Sequence, residues 1–106
     1  MNTSPILRHL VLCSFIDTTT ERQLAHIIED FTRLKQGIPQ IHLFEHGANN
    51  SPEGLSQGFS YCFNLGFLDQ TGRDAYLVHP LHLAFVERFK PWLAKVLVLD
   101  YWATVG

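Results

Sequence analysis

Two segments near the ends of the chain, LRHLVLCSF (Leu7–Phe15) and VLVLDYWA (Val96–Ala103), carry apolar side chains on both parities. A strand points alternate side chains to opposite faces, so a sheet built on such segments is apolar on both sides and needs two covers. Between them the chain supplies material for two helical units, enough to cover one face of a four-stranded sheet. Nothing in 106 residues is left over for the other face. A second copy related by two-fold symmetry is the economical cover. Charge content points the same way: 17% of residues are charged, against about 25% in an ordinary soluble domain, as expected where surface is hidden by a partner.

The order of elements follows from local signals. After the first strand, Thr18 with Glu21, or Thr20 with Gln23, has capping-box spacing, so a helix should begin near residue 20. Leu24, Ile27, Ile28, Phe31 and Leu34 form its inward stripe. Gly37, read as a left-handed stop, and Pro39 end it. Ile41 to His46 reads as a short strand, and residues 47–58, GANNSPEGLSQG, as an ordered surface loop that could serve as a lid. Phe59 to Phe67 alternates a bulky face (Phe59, Tyr61, Phe63, Leu65, Phe67) with a small one (Ser60, Cys62, Asn64, Gly66). Asp69 caps a short helical piece running to about Val78, and Pro80 suits the first position of a new helix with His79 as its N-cap. That helix carries His82, Phe85, Val86, Phe89, Leu93 and Val96 at helical spacing, with a bend expected at Pro91. The result is a single α+β domain, residues 1–106, of βαββαβ order with two helices on one face.

Several function classes are disfavoured. The net charge is −2, and the eight Lys and Arg are scattered without a basic run, so nucleic acid is not an expected partner. No run approaches the ~18 apolar residues of a membrane span, and Arg8 and His9 break the first apolar stretch too early for a signal peptide. A cytoplasmic location is expected. Cys13 and Cys62 lack CxxC spacing and sit in apolar alternating segments, which suits reduced, buried thiols.

RHLVLCSF, IPQI, GANNSPEGLSQGFSY, AYLVHPLHLAFV and KVLVLDYW together resemble the stress-responsive A/B barrel (Dabb) family over residues 7 to 103, with the HPxH segment His79–His82 the most specific part. The resemblance implies a ferredoxin-like fold with a four-stranded antiparallel sheet, paired into a homodimeric α/β barrel. The best understood activity in the family is that of polyketide cyclases, which close a linear chain by aldol condensation without a cofactor. By their motifs, the catalytic tyrosine and histidine of those cyclases match Tyr76 and His82 here, and a pocket histidine of the first strand matches His9. At two further pocket positions, a third-strand histidine and a first-helix tyrosine, this chain has Tyr61 and Phe31.

Read by themselves, the same residues support a site. The inward stripe of the last helix turns His82 toward the core, and its place in the first turn puts it near the positive helix end. Burial and dipole both disfavour imidazolium, leaving a neutral ring able to accept a proton. Tyr76, six residues earlier across the proline break, is within hydrogen-bonding reach of His82 and could donate to a developing enolate oxygen. His9 shares a parity with Val11, Cys13 and Phe15, and joins His82 if that face meets the helices. Each also has a purely structural reading, as a satisfied core histidine or a packed tyrosine. His79 and His82 at i, i+3 are only half a metal site, with no Asp, Glu or Cys beside them, so neither metal nor cofactor is expected. His26, His42 and His46 read as surface or interface residues. Phe31, Tyr61, Phe63, Phe85 and Phe89 are candidates to line a pocket for a small apolar or carbonyl-containing ligand, or else form solid core. Two functions fit: a cofactor-independent acid–base enzyme, or a non-catalytic stress-related binding protein using the same cavity. An open, dry cavity of more than roughly 200–300 Å³ touching His82 would favour the enzyme or small-ligand readings, and a filled core would disfavour both.

Overall fold

The structure is a computed structural model and describes residues 5–106; the first four residues of the expected domain lie outside the described residues. Leu7–Phe15 forms β1, buried at Leu7, His9, Val11 and Cys13 and partly open at the residues between. Thr20 caps α1 (Glu21–Thr32): its hydroxyl accepts from the Gln23 amide at 3.1 Å and the Gln23 side chain accepts from the Thr20 amide at 2.9 Å. Of the two capping boxes open to the sequence, this one forms. Ile27 and Phe31 are the deeply buried residues of α1, and one further turn, α2 (Leu34–Gly37), buries Leu34.

Gly37 does not adopt a left-handed conformation; the positive-φ glycines are Gly54 and Gly58, in the loop. What Gly37 supplies instead is clearance, since a Cβ there would lie 2.5 Å from Leu81 Cδ1. The residue is small because two helices approach closely.

The second strand, β2, covers Leu43–Ala48, two residues later than the periodicity suggests, with Ile41 buried ahead of it. β3 spans Tyr61–Phe67. Asp69 caps α3 (Gln70–Val78), accepting from the Gly72 amide at 2.7 Å. His79 then caps α4 (Pro80–Phe89), its Nδ1 accepting from the Leu81 amide at 3.1 Å. The second helical unit is therefore two helices joined at a break.

Pro91 does not bend a continuing helix. α4 ends at Phe89, Lys90–Trp92 forms a single 3₁₀ turn around the proline, and β4 begins at once as Leu93–Trp102. Val96, assigned from its spacing to the helical stripe, lies in this strand. Pro91 has no amide to continue the helical ladder, and the β-branched and leucine run that follows suits an extended chain.

The sheet has the order β2-β3-β1-β4 and is antiparallel throughout, with Val11 opposite Phe63 and Val98, and Phe44 opposite Leu65. All helices pack on the face of Leu7, Val11, Cys13, Phe63, Leu65 and Phe67. Phe31 is the hub of an aromatic cluster there, with ring centroids 4.5 Å from both Phe63 and Phe85 and 5.6 Å from Phe89. The other face, with Leu10, Leu12, Leu97, Leu99 and Cys62, has no covering element among the described residues; Leu97 and Leu99 are exposed. Burial pushes the Cys13 thiol up to about 12, and both cysteines are free.

Residues 49–60 close on themselves through Asn49, whose amide donates to the Ser60 carbonyl at 2.9 Å and whose side chain donates to Ser56 Oγ at 2.7 Å. Lys95 anchors the segment by donating to the Gln57 carbonyl and sitting 4.3 Å from the Phe59 ring centre. It borders a depression that includes Leu12 and Leu97 of the uncovered face, so it is no lid over the cavity described next.

Candidate functional site

The break at His79 brings the first turn of α4 over the end of α3. There His82 Nδ1 donates to the Leu77 carbonyl at 3.0 Å. A carbonyl only accepts, so the proton sits on Nδ1 and, in the neutral ring, Nε2 keeps a free lone pair. Burial chiefly holds the His82 pKa below the ordinary imidazole value; the Leu77 hydrogen bond opposes this, and the neighbouring His9 and His79 add to the lowering. The positive end of α4 acts in the same direction.

Tyr76 is 1% exposed. Its ring packs against His82, with centroids 4.2 Å apart and planes tilted by 38°. The expected hydrogen bond between them gives way to this ring contact. The Tyr76 hydroxyl makes no hydrogen bond among the described residues, and burial pushes its pKa well above the ordinary phenol value. It is therefore a donor that keeps its proton.

His9 meets Tyr76 edge-on at 5.8 Å. Its Nδ1 donates to Asp100 Oδ1 at 2.9 Å, across the β1–β4 pair in which the two residues face each other. Asp100 Oδ2 accepts from Arg73 Nη1 at 2.8 Å, and Arg73 Nε donates to Asp74 at 2.8 Å. Asp100 and Arg73 are not among the residues singled out from sequence. The available signal was Asp100 itself, the lone carboxylate in an otherwise apolar strand segment, VLVLDYW.

His9, Tyr76 and His82 line a single cavity of about 320 Å³ whose remaining walls are almost wholly apolar, with Lys90 as a further polar lining residue. Phe31, Phe85 and Phe89 line it as well. Phe63 and Tyr61 do not. Phe63 is fully buried behind Phe31, and Tyr61 packs 5.0 Å beyond Phe63, where its hydroxyl shares a 2.7 Å hydrogen bond with His46 Nδ1. That pair belongs to a broader and more open groove beside α1, about 480 Å³, with Glu29 and Arg33 on its rim. The Phe31 ring, which lines the cavity and packs on Phe63, stands between the two regions. Among the described residues no group of three or more His, Cys, Asp or Glu side chains is arranged to hold a metal ion. No helix among them is long and apolar enough to cross a membrane.

The sheet order and one-sided helix layer define a ferredoxin-like α+β domain. Residues 7–103 match the Stress responsive A/B Barrel Domain (Dabb) family, and the chain belongs to that family. It is 32% identical over 95 residues to the stress-response A/B barrel domain-containing protein HS1 of Arabidopsis thaliana, covering 90% of this chain and 87% of that protein. It is 23% identical over 95 residues to olivetolic acid cyclase of Cannabis sativa, covering 90% and 94%. Among solved structures, the Arabidopsis thaliana protein At3g17210 superposes with a TM-score of 0.91 at 31% identity, covering 94% and 97%. A dimeric ferredoxin-like protein of unknown function from Thermobifida fusca gives 0.77 at 25% identity, covering 97% and 95%.

Proposed function

We propose that the protein works as a homodimer and is a cofactor-independent acid–base enzyme acting on a small carbonyl-containing, partly apolar molecule. The observation that carries this reading is the single cavity lined by both a half-buried His82, with Nδ1 committed to Leu77, and the Tyr76 ring packed against it, whose hydroxyl makes no hydrogen bond among the described residues. In this reading His82 Nε2 takes a proton from a carbon next to the substrate carbonyl. The C–H electron pair forms the enolate carbon–carbon double bond as the carbonyl π pair moves onto oxygen, which accepts a hydrogen bond from Tyr76, and His9 assists from the same end. The enolate carbon then attacks a second carbonyl, and the imidazolium returns its proton to the oxygen formed. The likeness to olivetolic acid cyclase supports a cyclase-like version of this chemistry. Dimeric relatives from Thermobifida fusca and Jannaschia support the homodimer, whose second copy would lie on the uncovered sheet face.

The deciding experiment is His82→Ala. The variant should fold, remain dimeric and lose turnover of carbonyl substrates; unchanged turnover in a folded variant overturns the mechanism. The cavity also suits a non-catalytic binding protein, and ligand binding that survives loss of both His82 and Tyr76, with no turnover in any substrate screen, would favour that role.

A further inference from the structure

The polar side chains that line the His82 cavity lie at its two ends. His9, Tyr76 and His82 are gathered at one, within ring contact of each other, and Lys90 stands at the other. His82 is in the first turn of α4 and Lys90 follows its last residue, so the two are eight residues apart, about 12 Å along a helix that rises 1.5 Å per residue. The floor runs the same way, from Val11 and Val98 through Val96 to Leu93, which pairs with Phe15 at the end of β1 remote from His9. Between the ends the walls are apolar. A volume of about 320 Å³ drawn out over that length is a narrow slot, suited to one chain. Lys90 is the one lining residue with a fixed charge, and no Asp or Glu lines the cavity. The Lys90 ammonium lies 3.3 Å from Glu87, but their side chains are 64% and 76% exposed. Pairs so open to water contribute little, so Lys90 is free to turn to a ligand.

We propose that the cavity takes chain-like carbonyl compounds carrying a carboxylate at the end remote from the reacting carbonyl, and that Lys90 selects them. This rests on the reading above for the carbonyl at the His82 end and adds the substrate's second polar end. A ligand filling the slot meets a proton acceptor and a phenol donor at one end, apolar wall along its middle and a cation at the other. The apolar walls strengthen the attraction of that single charge over what a lysine exerts in open solvent. A carboxylate suits one ammonium, a compact point charge with three donors. A phosphate monoester, with more charge and three acceptor oxygens, calls for several donors at once, and Lys90 stands alone. With the carboxylate held on Lys90, the far end of the chain lies against Tyr76 and His82, so the contact that selects the substrate also sets which carbon meets the base.

The test reads binding and not turnover. The full chain is titrated calorimetrically with 8-oxononanoate, a straight chain with a carboxylate at one end and a methyl ketone at the other, and with its methyl ester. The acid should bind at least about tenfold more tightly. Lys90→Met, which keeps the apolar stem and removes the cation, should bring the acid down to the affinity of the ester, and the His82 ring resonances of the parent should move as the acid binds. Equal binding of acid and ester, binding of neither, a preference that survives Lys90→Met, or a His82 ring left unmoved overturns the inference. Tighter binding of octyl phosphate than of octanoate overturns the choice of carboxylate. Should Lys90→Met not fold, the parent is titrated across a salt series, in which an ion pair at an exposed rim weakens, and a preference independent of salt is the overturning result. Acid-selective binding with no turnover of any carbonyl substrate fails the enzyme reading alone. Turnover by a chain that binds acid and ester alike fails this inference alone.

Discussion

Asp100 accepts hydrogen bonds from two sides at once, from His9 Nδ1 at 2.9 Å and from Arg73 Nη1 at 2.8 Å, and so ties the cavity histidine of β1 to the first half of α3. A carboxylate can do this because both of its oxygens accept. An Asp100→Asn side chain has nearly the same shape but one acceptor oxygen, so one of the two donors must face an amide N–H. The His9 side chain is buried, 7% exposed, and that of Asp100 is 25% exposed. Losing a hydrogen bond to a charged group in such a setting costs about 1.5–3 kcal/mol. Asp100→Asn should lower stability by that amount in urea denaturation and loosen the ring of His9, seen as a changed tautomer population in its ¹⁵N spectrum. An unchanged denaturation midpoint would show that the network holds nothing together.

Tyr76→Phe separates packing from chemistry. The ring contacts with His82 at 4.2 Å and Phe67 at 5.2 Å remain, and the hydroxyl that is removed has no partner to lose among the described residues. Stability should stay within about 0.5 kcal/mol of the parent. Turnover should fall by about 10²–10³ if the hydroxyl stabilises an oxyanion. A large stability loss with turnover intact would make Tyr76 a structural residue.

Lys95 is exposed, yet it reaches across to donate to the Gln57 carbonyl and lies 4.3 Å from the Phe59 ring centre. Gln57 has positive φ, a conformation that residues other than glycine seldom adopt, and Gly58 beside it does so freely. Lys95→Met keeps the aliphatic stem and removes the donor and the cation. We expect faster amide exchange confined to residues 49–60 and a stability loss of about 1 kcal/mol, the size of one hydrogen bond plus an exposed cation–π contact. Faster exchange throughout the sheet would mean that the loop contributes to the core.

Much of this was legible in the residues. Doubly apolar strands, the Thr20–Gln23 capping box, the Asp69 cap and the His79–Pro80 break are local features, and each forms where its chemistry demands. The meeting of His9 with His82 followed from strand parity once a helix layer was assumed. What was not legible depends on neighbours distant in sequence. Gly37 looked like a left-handed stop because glycine at a helix end usually is one, whereas its reason for being small is Leu81, forty-four positions away. Val96 satisfied a helical spacing and a strand spacing equally, and Pro91 decided between them. Tyr61 and Phe63 share a parity with the cavity residues of β3's neighbours, yet the Phe31 ring stands between them and the void. No pattern along the chain encodes that blockade.

The lowered pKa of His82 sets the sign of a pH effect. Burial disfavours its imidazolium in the folded protein, with His9 and His79 opposing the charge as well and only the Leu77 carbonyl favouring it; the Tyr76 phenol packed against the ring is neutral over this range. The unfolded chain takes up the proton near the ordinary imidazole value of about 6.5, and the folded chain only at lower pH. Between those two values the unfolded state binds more protons, so stability rises with pH across that window. The contribution of His82 is thus fully favourable above pH ~6.5 and is lost as the pH falls from there through the folded value. A urea midpoint measured from pH 7.5 to 5 should decline more steeply for the parent than for His82→Gln, which keeps a hydrogen-bonding side chain but cannot titrate. In the NMR titration, the His82 ring should protonate below 6.5 and show the Nδ1–H tautomer above it. A midpoint at or above 6.5 would overturn the sign of the pH effect, and an Nε2–H tautomer would remove the free lone pair on which proton abstraction depends.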